Sequence, residues 1–182
     1  MSSRTGGYSK QAGVTLIISL VMLLVLTIAG VSAVQTTSIE ERMARNTHDR
    51  LIAFQAAESA LREGERFLQN NVNSTALFTD GGANGLWTTA PFNAQERWKG
   101  NIWGAGSPQS VEVSAAVLGV AQQPRFIVEW LATVQREENP SLLGSSYSAV
   151  FDRIEVFRVT ARGVGGSPNA RVMLQSHVGL VF

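Results

Sequence analysis

Two histidines, no cysteine and scattered Asp, Glu, Ser and Gly residues are all that the chain offers to reaction chemistry. His48 stands beside Asp49 in a polar stretch, and His177 stands in an alternating stretch near the C-terminus. Neither has a second ligand at a metal-binding spacing. Without cysteine, disulfides, thiolate chemistry and Cys-ligated zinc are excluded. A Ser–His–Asp set can be assembled from scattered residues in any chain of this length, so it carries no weight. Gly163-Val164-Gly165-Gly166-Ser167 lacks the Lys-Ser/Thr ending and following helix of a phosphate loop, and it reads as a hairpin loop. Asp80-Gly81-Gly82-Ala83-Asn84 has too few oxygen ligands for a calcium loop. Asn73-Ser74-Thr75 matches a glycosylation sequon, a motif short enough to occur by chance. No catalytic residue, cofactor or metal follows, and the chain reads as a non-enzyme.

Charge narrows the partners. Taking Arg4 and Lys10 of a leader-like start from the 15 Lys and Arg residues leaves 13 against 14 Asp and Glu. Nucleic-acid binding needs an electrostatic excess that this balance does not supply. With 182 residues, the chain has room for one domain and one further element.

The element that must be placed first is residues 14–34, VTLIISLVMLLVLTIAGVSAV, which carry no charge and no Pro. At about 1.5 Å per residue they span about 30 Å, the thickness of a bilayer core. A soluble buried helix is rarely apolar on every face for so long. Arg4 and Lys10 before the run, against Glu40 and Glu41 after it, predict a cytoplasmic N-terminus, with the rest of the chain outside the inner membrane. Three readings compete: a secretory signal cut after Ala33, a plain single-pass anchor, or a segment cut before the apolar run and retained. The run exceeds the usual length of about 7–15 residues for a signal-peptide core, which counts against the first.

The third reading rests on Gly13-Val14-Thr15-Leu16-Ile17, where a short basic leader ends in Gly and the apolar helix begins at once. This resembles the type IV prepilin pattern. The resemblance implies cleavage by a prepilin peptidase between Gly13 and Val14 and methylation of the new Val14 amine. Thr15, Leu16 and Ile17 would complete the recognition sequence. The fifth mature residue in that family is normally Glu, thought to neutralise a neighbouring subunit's amine during assembly; here it is Ile18. An unpaired charge in hydrocarbon is costly, so such pairing can direct subunit order. Ile18 cannot pair, so this subunit need not dock beneath an earlier one, as expected at the start or tip of a filament.

No Pro occurs between Val14 and Thr89, and Ser38–Leu68 favours helix. Glu41/Arg45, Arg45/Asp49 and Glu58/Arg62 stand at i,i+4 spacing. Ala53, Phe54, Ala57, Ala60, Leu61, Gly64, Phe67 and Leu68 share one face about 140° wide. Its small residues allow close approach to a sheet. One helix is therefore expected from 14 to 69, roughly 80 Å long, with Gly30 and Ser32/Thr36/Thr37 its weakest region.

The rest, residues 70–182, reads as a globular head. Residues 70–108 are rich in breakers, with Trp87, Phe92, Trp98 and Trp103 either pinning an irregular excursion to the core or forming a contact surface. Strands are expected over Val111–Val120, Arg125–Arg136, Val150–Arg162 and Arg171–Phe182, with loops at Asn139–Ser148 and Gly163–Asn169. In the second strand Phe126, Val128, Trp130 and Ala132 should share one face. Residues 154–162 and 171–181 should form an antiparallel hairpin. The expected fold is α+β and pilin-like: a leader (1–13), a long N-terminal helix whose first half is transmembrane, and a small antiparallel sheet packed on its second half.

Glu40-Glu41-Arg42-Met43-Ala44-Arg45-Asn46, Asp49-Arg50 and Ala53-Phe54-Gln55-Ala56-Ala57-Glu58-Ser59-Ala60-Leu61-Arg62 resemble the PilX family of type IV pilus minor pilins. Arg158-Val159-Thr160-Ala161-Arg162-Gly163 and Ala170-Arg171-Val172 to Gln175-Ser176 are similar to that family too. Lack of the usual Glu at position 18 is common among such proteins. The resemblance implies a part in pilus initiation and assembly, supporting adhesion and twitching motility. Its partners would be other minor pilins, the major pilin, the prepilin peptidase, the inner membrane and the assembly platform, with no nucleic acid. A type II secretion pseudopilin, or a ligand-binding domain tethered by its helix, are the alternatives.

Overall fold

The computed structural model describes residues 13–135 and 153–181. The chain divides into a unit Met1–Arg45 and a unit Asn46–Phe182, and helix α1, Val14–Asn71, contributes to both. The helix is unbroken through Gly30, because the hydroxyls nearby serve the helix itself. Thr36 Oγ1 donates to the Ser32 carbonyl at 3.1 Å and Thr37 Oγ1 to that of Ala33 at 3.2 Å. Arg45 donates to Glu41 at 2.5 Å, and Arg62 pairs with Glu58. The expected Arg45/Asp49 pair is not formed, since Asp49 is engaged by Ser167. The helix ends at the turn-favouring pair Asn70-Asn71, and Val72 N–H closes the last turn on the Leu68 carbonyl at 3.3 Å.

In the second unit α1 buries Ala53, Ala57, Ala60, Gly64 and Leu68, as the stripe predicts, with Leu61 and Phe67 partly buried. Phe54 is exposed and Ala56 is buried instead. At about 100° per residue, Phe54 turns about 100° away from Ala53, to the margin of the face, while Ala56 lies about 60° to the other side.

The sheet comprises β1 (Leu86–Thr88), β2 (Val111–Glu112), β3 (Arg125–Gln135), β4 (Arg153–Val164) and β5 (Arg171–Val181). Its order is β1-β3-β4-β5, and β2 also pairs with β3. The β4–β5 hairpin runs in unbroken register from Ile154↔Val181 to Val164↔Arg171. β1 is parallel to β3, Leu86 opposite Val128, so the sheet is mixed and not wholly antiparallel. Between those strands the 89–124 excursion brings the chain back in the direction in which it left.

Three strand expectations need correction. The strand over Val111–Val120 stops at Glu112 because side chains take over its backbone groups. Ser114 N–H donates to Glu63 Oε1 at 2.7 Å, and the Gln123 amide satisfies both N–H and C=O of Val117. In β3 an irregularity between Trp130 and Ala132 flips the alternation. Ala132 therefore opposes Val156 and leaves the face of Phe126, Val128 and Trp130. β4 runs on through Gly163 and Val164, shortening the expected loop. The expected loop Asn139–Ser148, and most of the leader, lie outside the described residues.

Phe126, Val128, Phe157, Val159 and Ala161 face α1 and form the main core with Ala60 and Leu68. On the other face Ile127 packs with Trp87, Ile102 and Trp103, with Trp98 partly buried beside them. Three of the four aromatics of the 87–103 region thus belong to packing, while Phe92 is 95% exposed. The first half of β3, residues 125–129, is covered on both sides, which suits its adjacent apolar residues Phe126, Ile127 and Val128.

Candidate functional site

The N-terminal segment is built from a turn at Gly13 and a helix that begins at Val14. Ile17 N–H reaches the Gly13 carbonyl at 3.4 Å, so Gly13 supplies the first acceptor of the helix. A Cβ on Gly13 would meet nothing within 4 Å. Packing among the described residues therefore does not demand glycine there. Val14, Leu16, Ile17 and Ile18 are all more than half exposed, with no acidic side chain in the first turn. The motif residues Gly13 to Ile18 are thus contiguous, accessible and uncharged.

Beyond them the apolar side chains of the first unit point outward on every side of the helix. Several of its hydroxyls are turned back on the backbone. Ser19 Oγ donates to the Leu16 carbonyl at 2.9 Å and Thr27 Oγ1 to that of Leu23 at 2.6 Å. These bonds engage the Ser19 and Thr27 hydroxyl protons within the helix, as suits a hydrocarbon environment. The helix is long and apolar enough to cross a membrane, and it fits membrane anchoring.

In the second unit, charged groups serve as fasteners. Asp49 accepts from Ser167 N–H at 3.1 Å and from the Ser167 hydroxyl, and that hydroxyl above all holds its carboxyl below the ordinary aspartate range. Glu129 is completely buried, with Arg158 Nε at 2.9 Å from its Oε2 and Nη2 at 3.1 Å from its Oε1. Arg158 also reaches Glu96 at 2.7 Å, and this bond lowers the Glu96 pKa. Arg125, buried, is shared among Glu112, Ser110 and the Ser107 carbonyl. Local spacing pairs Asp49 with Arg45 and gives no sign of the partners that Asp49, Glu96, Arg125, Glu129 and Arg158 find across the fold. The available signal was a Glu at position 129 within an apolar strand, where burial demands a partner.

His48 and His177 are not brought together with other ligands: among the described residues, no group of three or more His, Asp or Glu side chains could hold a metal ion. His177 opposes Arg158 on β5. Asp80, in the Gly-rich loop, binds Thr88 and Arg97 through one oxygen, a structural use. Ser74 of the sequon caps a short helical turn by accepting from Ala76 N–H at 3.2 Å.

The PilX N-terminal family model matches residues 12–62, and the model for the C-terminal region of the type IV pilus assembly protein PilX matches residues 43–179. Searches of curated proteins and of solved structures returned no match. The two family matches overlap on the helix and together run through the sheet, the same stretches in which the apolar segment and the α+β unit were described. The chain belongs to the PilX family and is a type IV pilus minor pilin.

Proposed function

We propose that the chain is made as a prepilin, cut between Gly13 and Val14, methylated on Val14, and used in the complex that starts or caps a type IV pilus. On this reading residues 1–13 are a leader, 14–69 the assembly helix with 14–34 in the inner membrane, and 70–182 a periplasmic head that travels with the pilus. Adhesion and twitching motility are supported through the filament that it helps to assemble.

The observation that carries the proposal is the accessible Gly13, needed by no packing contact among the described residues, directly before the charge-free segment 14–39, whose large apolar side chains are exposed. Such a segment can exchange lipid for neighbouring apolar helices. Ile18 supports the place in the sequence of assembly, since it leaves the first turn without the carboxylate that could seek a neighbour's amine. The test is recovery of the protein in sheared pili. Wild type should be present at low level, a Gly13→Val variant should be absent, and pilus number should fall in the variant strain. Normal pilus number with Gly13→Val would refute the role in initiation.

A further inference from the structure

On the face of the sheet away from α1, three cations gather around one open cleft of about 530 Å³: Lys99 from the excursion, Arg162 from β4 and Arg171 from β5. None of the three has a carboxylate bonded to it among the described residues. Among the described residues Glu96, which also acts on Lys99 through space, is bonded to Arg158, and Glu112 to Arg125. Arg171 donates Nε to the Pro168 carbonyl, and Lys99 and Arg162 lie over the rings of Trp98 and Trp103, at 4.9 and 6.0 Å. The rings thus hold two of the charges in place without neutralising them. Arg162 Nε is buried and has no acceptor. A buried donor left unmet is destabilising by about 1–3 kcal/mol, and such groups are rare in native folds. Burial, followed by the charge of Arg171, holds the Arg162 pKa below the usual arginine value, as expected when like charges face one empty space.

We propose that this cleft binds a carboxylated saccharide, with Arg162 and Arg171 holding the carboxylate and Lys99 and Asn101 the body of the sugar. Arginine pairs with carboxylates through two parallel N–H donors, and the orphaned Arg162 Nε, closed off from solvent, would be satisfied when the guanidinium turns toward the carboxylate. The volume lies within the range of small-ligand sites, about 300–1,000 Å³, and far exceeds one carboxylate or phosphate. The remaining wall is the Asn101 amide, Gly100, the exposed Met173, and Trp98 and Trp103, a mixed polar and apolar lining suited to the hydroxyls and C–H groups of a sugar. Nucleic acid fits less well. The cations are confined to one cleft and do not form a stripe, and the chain is nearly neutral. The cleft belongs to the unit Asn46–Phe182 and does not depend on the processing of Gly13.

The test uses the full chain in detergent, titrated with trigalacturonic acid at low and high salt and followed by calorimetry and by tryptophan fluorescence. Binding should be saturable, weakened by salt, and absent for neutral galactotriose. Arg162→Gln should weaken it about tenfold or more, as loss of a charged hydrogen bond implies. Lys99→Ala and Arg171→Ala, both on the surface of the cleft, should each weaken it several-fold and guard against misfolding of the Arg162 variant. Equal binding of galactotriose, or unchanged binding in all three variants, would overturn the proposal. Inorganic phosphate bound as tightly as the trisaccharide would reduce the site to a simple anion pocket and overturn the saccharide assignment. Tighter binding of a single-stranded oligonucleotide would replace it with nucleic acid.

Discussion

Asp49 on α1 and Ser167 in the β4–β5 turn are joined twice across 118 positions of sequence, the backbone N–H and the hydroxyl of Ser167 each donating to a different carboxylate oxygen. The contact fastens the tip of the terminal hairpin to the helix. Because Ser167 favours the ionised carboxylate, the Asp49 pKa is lower folded than unfolded. The sign follows from linkage: this contribution is present above the ordinary aspartate value of about 3.9 and fades as pH falls through the lower, folded value. Asp49→Asn and Ser167→Ala should each lower the unfolding midpoint at pH 7, and the double variant should lose less than their sum. Both differences from wild type should shrink under acid. Full additivity at neutral pH would show that the two groups do not act on each other.

Gly163 lies where β4 passes closest to α1. A Cβ there would overlap the Ala53 carbonyl oxygen and the Ala57 nitrogen, both backbone atoms that cannot rotate aside. Gly163→Ala should therefore destabilise by about 1–3 kcal/mol, the usual cost of overpacking. Gly104→Ala, at a position with nothing within 4 Å, should stay within about 0.5 kcal/mol of wild type. Chemical denaturation of the two variants checks the contrast. Equal effects would mean that the helix can slide on the sheet.

The Glu96–Arg158–Glu129 group predicts a different asymmetry. Arg158→Met leaves Glu129 fully buried without its cation and should cost about 3–5 kcal/mol. Glu96→Gln removes only the outer carboxylate, close to the surface, and should cost about 1 kcal/mol or less. The same denaturation experiment separates them, and a reversed order would contradict the assignment of Glu129 as the inner partner.

Ile18→Glu adds the carboxylate that the first turn lacks. If Ile18 sets the place of this subunit, the variant should appear in greater amount in sheared pili and along their length. Immunogold labelling of filaments reads the distribution. An unchanged amount and position would remove Ile18 from the account of assembly order.

Local sequence made some of this legible and left other parts hidden. The helix, the small-residue stripe and the β4–β5 hairpin follow from periodicity, because each is set by neighbours in the chain or one turn away. Gly163, Gly165 and Gly166 read only as loop residues, although Gly163 is a strand residue pressed against helix backbone. The parallel β1, the side-chain caps that stop β2, and the Asp49–Ser167 clasp depend on which distant residues meet, and period gives no sign of that. The flip at Leu131 is of the same kind: one extra residue leaves composition unchanged and reverses every face after it. The cationic cleft combines residues from three separate segments, so its charge excess vanishes in a chain whose totals nearly balance.

The central claim is that Gly13 ends a leader and Val14 begins the working subunit. The most direct measurement is the intact mass and N-terminal sequence of the protein, isolated from hosts with and without their prepilin peptidase. Peptidase-dependent loss of residues 1–13, with one methyl group on Val14, is the expected result. An uncut N-terminus in both hosts, or cleavage after Ala33, would contradict it.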